Sequence, residues 1–305
     1  MSAGTAKVTS NRIKESRDNL LFDIFVYTFL TIALIVVLYP LYFVVIASFS
    51  DPYMVLRGDV IWYPKGITFG SYEKIFQNAD IWIGYVNSIK YTVVGTLLNV
   101  VLTVFLAYPL SRSYFCLRKP FTLIVLVTMY FGGGMIPTYI LVNKLGLRNT
   151  MGSLIFVGAV SAYNVIIART FFQSNIPSEL EEAAEIDGCT KGRFFFSFVP
   201  QLSKSIVAVL SLYYAVGHWN DYMKGLLYID KREMYPLQLI LRGILMEGQG
   251  LANDFADVDE IEAKLKLAES LKYGVIIVAV IPPLLLYPFI QRYFIKGVMI
   301  GSLKG

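Results

Sequence analysis

Apolar residues in this chain gather into six runs, at 24–48, 89–110, 121–141, 153–172, 202–221 and 274–291. Each is long enough to cross a bilayer as a helix, which takes about 20 residues. Three of the runs are interrupted. The third holds Gly132-Gly133-Gly134 and Pro137, the fourth Asn164, and the fifth Lys204 and His218. Polar and helix-breaking residues at such depths are tolerated where they face other protein or a water-filled path, and packing against neighbours is the commoner reason for any one of them. The pattern predicts an all-α membrane protein with six transmembrane helices. Its membrane domain covers 24–291, between an N-terminal segment, 1–23, and a tail, 292–305.

Composition supports the pattern. The chain is 56% apolar and 16% charged, with a mean hydropathy of +0.58, too oily for an ordinary soluble domain. The first run follows a charged stretch and lacks a small-x-small cleavage site, so it reads as a signal anchor. Basic residues set the orientation. Lys7, Arg12, Lys14 and Arg17 precede the first run, Arg112, Arg118 and Lys119 fill the turn after the second, and Arg292, Lys296 and Lys304 follow the sixth. Only Lys144 and Arg148 occupy the turn after the third. Both termini are therefore expected in the cytoplasm. Much of the net charge of +5 is topological charge beside anionic lipid, and no basic-aromatic patch points to nucleic acid. Cys116 and Cys189 both fall on the reducing side, so no disulfide is expected, and two cysteines with one histidine cannot build a structural zinc site. His218, beside Trp219, reads as packing or a water-facing hydrogen bonder rather than a ligand or proton relay.

Two outer segments are long. Residues 51–87 hold Trp62, Pro64 and Trp82, a composition suited to a folded hairpin at the membrane interface. Residues 222–273 cluster Asp254, Asp257, Asp259, Glu260 and Glu262, but lack the spacing of a calcium loop; a solvated helix at 257–272 is the better reading. Loops of this length usually serve a function, here contact with something arriving from outside.

The segment Ile176–Gly188 has the most chemistry. It is a short acidic helix with its own signals: Pro177 before it, Ser178 as the cap, Glu181 completing a capping box and Gly188 at C′. Leu180, Ala183, Ala184 and Asp187 fall on one small, smooth face, while Glu179, Glu182 and Glu185 point elsewhere. So short a helix does not persist alone in water and should pack on something. A solvated loop helix and a docking element are both open on these signals. Equally informative, the sequence has no G-x-x-x-x-G-K-[ST], no H-E-x-x-H and no G-x-S-x-G. The chain does not read as an enzyme, and any ATP it uses must be bound by a separate subunit.

Glu182-Ala183-Ala184, three residues, then Gly188 resembles the cytoplasmic EAA loop of ABC-importer permeases. In that family the Leu-Pro of the loop follows about a dozen residues later; here Val199-Pro200 falls one position early. The resemblance extends along the chain. Phe131–Tyr139, Trp219-Asn220-Asp221, Tyr235–Leu241 and the tail Gln291–Gly301 are similar to segments of carbohydrate-importer permeases of the complex-oligosaccharide group. The tail is most like that of the smaller, second permease of maltose-type systems.

This resemblance implies six helices with a cytoplasmic coupling helix between spans four and five, in the loop 176–200. It also implies a second, related permease, two cytoplasmic ATPase subunits holding ATP and Mg, and an extracytoplasmic sugar-binding protein. The chain itself would bind no cofactor. It would sit in a bacterial cytoplasmic membrane. Leu180, Glu182, Ala183, Ala184, Asp187 and Gly188 would dock on an ATPase, whose closure re-aims spans four and five. Glu247, Gly248, Gln249 and Gly250 would form a flexible polar tip reaching the binding protein from the loop 222–273, beyond an apolar platform at Tyr235–Leu239. Tyr130, Tyr139, Asn164, Trp219 and Asn220 are candidates to line the pathway, since aromatic faces and amides suit sugar rings; interhelical packing explains each equally well. In maltose-type systems the sugar is held mainly by the other permease. Two alternatives differ in class. One is an ABC permease for a non-sugar solute. The other is an ion-coupled secondary transporter, which would want intramembrane carboxylates that these spans, apart from Asp221, lack.

Overall fold

The computed structural model describes residues 17–250 and 271–285, with 287, 288 and 291. The described residues are helical or irregular, without strands, and fall into two compact units that meet in sequence at Ile67 and Thr68. The basic N-terminus, the Asp254–Glu262 cluster, most of the 257–272 helix and the tail beyond Gln291 lie outside the described residues.

The first unit contains α1 (Arg17–Ser48) and α2 (Pro52–Leu56). From Leu21 to Ser48, α1 is apolar on all sides and long enough to cross a membrane. The chain then closes on itself. Asp51 caps α2 through Tyr53 N at 2.8 Å, its own amide donates to Lys65 O at 2.9 Å, and Gly66 takes φ 62°. Trp62 turns back against the Tyr39 ring. The hairpin expected over 51–87 is therefore a closed loop and short helices, and its last nine residues belong elsewhere.

They belong to α4. The second unit opens with α3 (Gly70–Gln77) and α4 (Ala79–Ser111), which starts ten residues before the predicted second span. Asn78 caps α4 through Asp80 N at 3.0 Å. At 33 residues it is about 50 Å long, against a hydrocarbon core of about 30 Å. Of the elements that contact it, three do so extensively. They are α8 (Ala162–Asn175), α12 (Lys204–Asn220) and α14 (Leu237–Gly250), reached through the intervening elements described next.

The third predicted span is not one rod. It consists of α5 (Arg118–Tyr130) and α6 (Met135–Lys144), bent by 114° where Phe131–Gly134 leave the helix. Gly134 has φ 82°, a value that favours glycine, and Pro137 in the first turn of α6 needs no amide partner. The fourth is likewise split, into α7 (Met151–Ile155) and α8, with Gly158 at φ 74° and Ser161 capping Asn164 N. Between α8 and α12 come α9 (Ser178–Ile186), α10 (Lys191–Ser197) and α11 (Val199–Leu202). After α12 come α13 (Met223–Tyr228), a 3-10 turn at Arg232–Met234, α14 and α15 (Leu271–Leu285).

Among the described residues, α1 and α4 can cross a membrane by length and composition, and α5 with α6 makes a third span if counted as one broken helix. The polar loop after α12 is strapped to the N-terminal half of α4. Asn87 donates to Glu233 O and Tyr235 O, Tyr91 OH to Met234 O, and Ser88 Oγ accepts from Leu237 N. Arg232 Nη2 lies 2.6 Å from Asp80. Leu237, Ile240 and Leu241 bury against α4, and a Cβ at Gly84 would stand 2.6 Å from Ile240 Cδ1, so the small residue sets the close approach. The expected apolar platform is thus core. The residues of the expected tip, Glu247–Gly250, are helical and belong to α14.

Candidate functional site

The acidic helix forms where the sequence places it, but its start and inner face differ from expectation. Pro177, with φ −60° and ψ 150°, is the N-cap, so Ser178 is already helical and caps nothing. Glu181 does not complete a capping box; it points inward and is buried. A buried carboxylate needs partners. Tyr114 OH donates to Glu181 Oε1 at 2.8 Å, and Arg112 Nη1 lies 3.6 Å from Oε2, with both side chains of the ion pair about 5% exposed. Burial first, and then Glu181 alongside, raise the Tyr114 phenol above its ordinary range, so it remains a donor at neutral pH.

Arg112 is a junction. Nη1 donates to Ile176 O and Nη2 to Phe172 O, both at 3.0 Å, and Nε donates to Ser111 Oγ at 3.1 Å. The two carbonyls belong to the end of α8; Phe172 O also accepts from Ile176 N at 3.2 Å, so Arg112 adds a second donor there. The guanidinium also lies 4.7 Å from the Tyr108 ring centroid. Nearby, Arg169 Nε donates to Leu110 O at 3.0 Å, tying α8 to α4 a second time. Below this polar layer Tyr108, Leu110, Phe172, Ile176, Phe194, Val199 and Leu210 form a closed apolar cluster.

The C-terminal stop is as expected. Gly188 has φ 77°, its amide donates to Glu185 O at 3.0 Å, and Cys189 N donates to Ala184 O at 2.8 Å. Those two bonds are the pair that defines a Schellman motif. Thr190 then caps α10 through Arg193 N, and Lys191 reaches Glu185 at 3.4 Å.

Of the six residues expected to dock, Leu180, Glu182, Ala183, Asp187 and Gly188 are exposed, whereas Ala184 turns inward and packs against the apolar cluster. Ile186 was not expected. At 87% exposure it is the most prominent apolar side chain of α9, flanked by Glu182, Glu185 and Asp187. An exposed isoleucine on a loop helix is a mark the sequence carries, hidden there by its acidic neighbours.

The candidate pathway residues do not behave alike. Tyr130 and Asn220 are exposed, and Tyr139 is half-buried and stacks on Tyr228, with centroids 6.1 Å apart. Asn164 is buried in the first turn of α8. Trp219 is buried, and its Nε1 donates to Ala279 O of α15 at 3.1 Å, so packing accounts for it. His218 is a hydrogen bonder. With the Asn99 amide in the orientation that satisfies both ends, Asn99 O accepts from His218 Nε2 at 2.9 Å, and its nitrogen donates to Gly95 O and Ala159 O. Thr103 Oγ1 and Tyr214 OH meet at 2.7 Å, and Tyr214 OH accepts from Ser161 N. These contacts join α4 and α12 to the break in the fourth predicted span.

At the far end of α4, Asp230 accepts from Asn149 Nδ2 at 2.9 Å and Arg148 Nη2 at 2.8 Å, while its amide donates to Asn149 Oδ1. The Asn149 bond first, with Arg148, holds the Asp230 carboxyl below its usual range. Among the described residues no group of three or more His, Cys, Asp or Glu side chains is arranged to hold a metal.

No family model matches the sequence. The chain is 39% identical, over 287 residues, to the "Polygalacturonan/rhamnogalacturonan transport system permease protein YtcP" of Bacillus subtilis (strain 168), spanning 94% of this chain and 99% of that one. It is 36% identical to "Protein LplC" of the same organism, over 87% of this chain and 89% of the relative. Among solved structures, a chain of a bacterial ABC transporter involved in the import of the acidic polysaccharide alginate superposes with a TM-score of 0.81 at 29% identity. That match covers 92% of this chain and 99% of the other.

Proposed function

Because this chain belongs to the permeases of sugar ABC transport systems, we propose that it is one permease half of a binding-protein-dependent oligosaccharide importer in a bacterial cytoplasmic membrane. The exposed outer face of α9 supports this reading above all. Leu180 and Ile186 present apolar surface amid Glu182, Glu185 and Asp187, on a helix too short to stand without a partner. That face docks in a cleft of a separate ATPase subunit, where ATP and Mg are held.

Two ATPase subunits, a second permease and an extracytoplasmic binding protein complete the assembly. Six spans, the broken third and fourth included, put both termini and α9 in the cytoplasm, and Glu247–Gly250 of α14 meets the binding protein. ATP closes the ATPase pair, α9 moves with the closing surface, and the spans joined to it reorient the pathway. Ligand outside and ATP inside bias one equilibrium, which requires contacts that differ between its two states. The cargo is an oligosaccharide bearing uronic-acid carboxylates. The relative named for polygalacturonan and the structure named for alginate, both uronate polymers, support that choice.

Proteoliposomes holding the chain with its partner permease, ATPase subunits and binding protein should accumulate labelled oligogalacturonate only with internal ATP. A neutral oligosaccharide of equal length should compete poorly. Uptake driven by an ion gradient without the ATPase would overturn the importer reading, while equal competition would overturn only the uronate.

A further inference from the structure

The inner attachment of α9 is lopsided. Glu181 is the one residue of the helix that is buried, and Ala184 is half-buried. A nine-residue helix held by an alanine and its two chain connections would shift easily against the bundle. Its firm grip is the Glu181 carboxylate, and that carboxylate does not reach the elements joined to α9 in sequence. It reaches Arg112 and Tyr114, at the end of α4 and the turn beyond. Arg112 holds the last turn of α8 by two carbonyls at the same time. Three elements that need not move together are thereby fastened at one guanidinium.

We propose that Arg112 and Glu181 are positioning residues for transport coupling: the buried pair delivers a displacement of α9 directly to the second span, in addition to the chain connections leading to α8 and α12. The proposal rests on α9 being the docking helix. Stability alone is a poor reason for such a pair. Drying two charges costs nearly what their attraction returns, and apolar replacements are often neutral. The planar fork does what an apolar contact cannot: it fixes the direction of two carbonyls by hydrogen bonds, while the carboxylate, oriented by Tyr114, is drawn to the same cation as an ion pair.

The test uses the reconstituted importer with Cys116 and Cys189 replaced. It compares Glu181→Gln with the double variant Arg112→Met/Glu181→Leu, which leaves no buried charge unpaired. Three quantities are read: recovery of assembled complex, cross-linking of an Ile186→Cys reporter to the ATPase subunits, and oligogalacturonate taken up per ATP hydrolysed. Assembly and cross-linking should stay within about twofold of the parent while uptake per ATP falls about tenfold in both variants. Arg112→Lys, a cation without the fork, should fall in between. Uptake per ATP unchanged in an assembled variant would overturn the proposal. So would losses of uptake, hydrolysis and assembly in parallel in both variants, since the pair would then only fold the chain. Failure of the reporter to cross-link in the parent complex would instead overturn the docking reading.

Discussion

Replacing Gly188 isolates the stop of the acidic helix from everything around it. The residue sits at φ 77°, and a Cβ built there meets no atom within 4 Å, so a side chain clashes with nothing outside its own backbone. The cost of a substitution is therefore conformational. An ordinary L-residue in the left-handed region loses about 1–2 kcal/mol, a β-branched one more, and asparagine less. Since 1.4 kcal/mol is about tenfold in a population, Gly188→Ala should lower the population of correctly stopped helix about five- to thirtyfold relative to competing geometries. Gly188→Val should lower it further, and Gly188→Asn little. What is lost is the pair of bonds from Gly188 N and Cys189 N, which fix where Ile186 and Asp187 are presented. The assay is the apparent affinity of purified ATPase subunits for the permease pair in nanodiscs, with uptake measured alongside. The expected order is Gly, Asn, Ala, Val. An asparagine variant as weak as valine, or a valine variant docking like the parent, would refute the backbone argument.

Three further outcomes are expected. Gly95→Ala places a Cβ 2.4 Å from His218 Nε2 and should lower thermal stability in detergent by about 1–3 kcal/mol; in a His218→Ala background, where the ring is gone and Asn99 has already lost its donor, the same change should cost much less. Because the Asp230 carboxyl is held low, its contribution is present above the unfolded value of about 3.9 and disappears as pH falls through the lower folded value. Protease resistance of the 222–235 loop should therefore persist below about pH 4 in the parent and lack that acid step in Asp230→Asn. In a background without Cys116 and Cys189, Thr190→Cys should react with an impermeant thiol reagent only after the inner face is opened, and Gly250→Cys should react from outside; the reverse pattern would invert the topology.

The acidic helix was legible because its signals are local. Pro177, the acidic first turn and Gly188 lie within a dozen residues, and the structure starts and stops the helix among them. Glu181 was misread because capping and burial ask for the same residue type, and what decides between them is Arg112, 69 positions away. The start of α4 was missed for a similar reason. Asp80, Asn87 and Ser88 look like loop residues on a hydropathy trace, yet each is paired with the segment 232–237, some 150 residues on. Gly132–Gly134 announced an interruption in the third span but not a bend of 114°. The break in the fourth hung on a single glycine, Gly158, too little to stand out in an apolar run.

If the chain works paired with a second permease, as proposed above, the bend between α5 and α6 bears on how cells dispose of an unpaired subunit. Gly132 and Gly133 belong to neither helix, and a Cβ on either would meet open space. In lipid, a peptide group without a hydrogen-bond partner costs several kcal/mol. At the midpoint of the third apolar run, such groups can be satisfied only by another polypeptide or by water admitted between two. A copy inserted without its mate would bear that penalty and expose the distortion to the proteases that patrol membranes. Steady-state abundance of this chain should then follow expression of the second permease, and orphan copies should be short-lived. Stoichiometry would be enforced by turnover, without any need for matched synthesis.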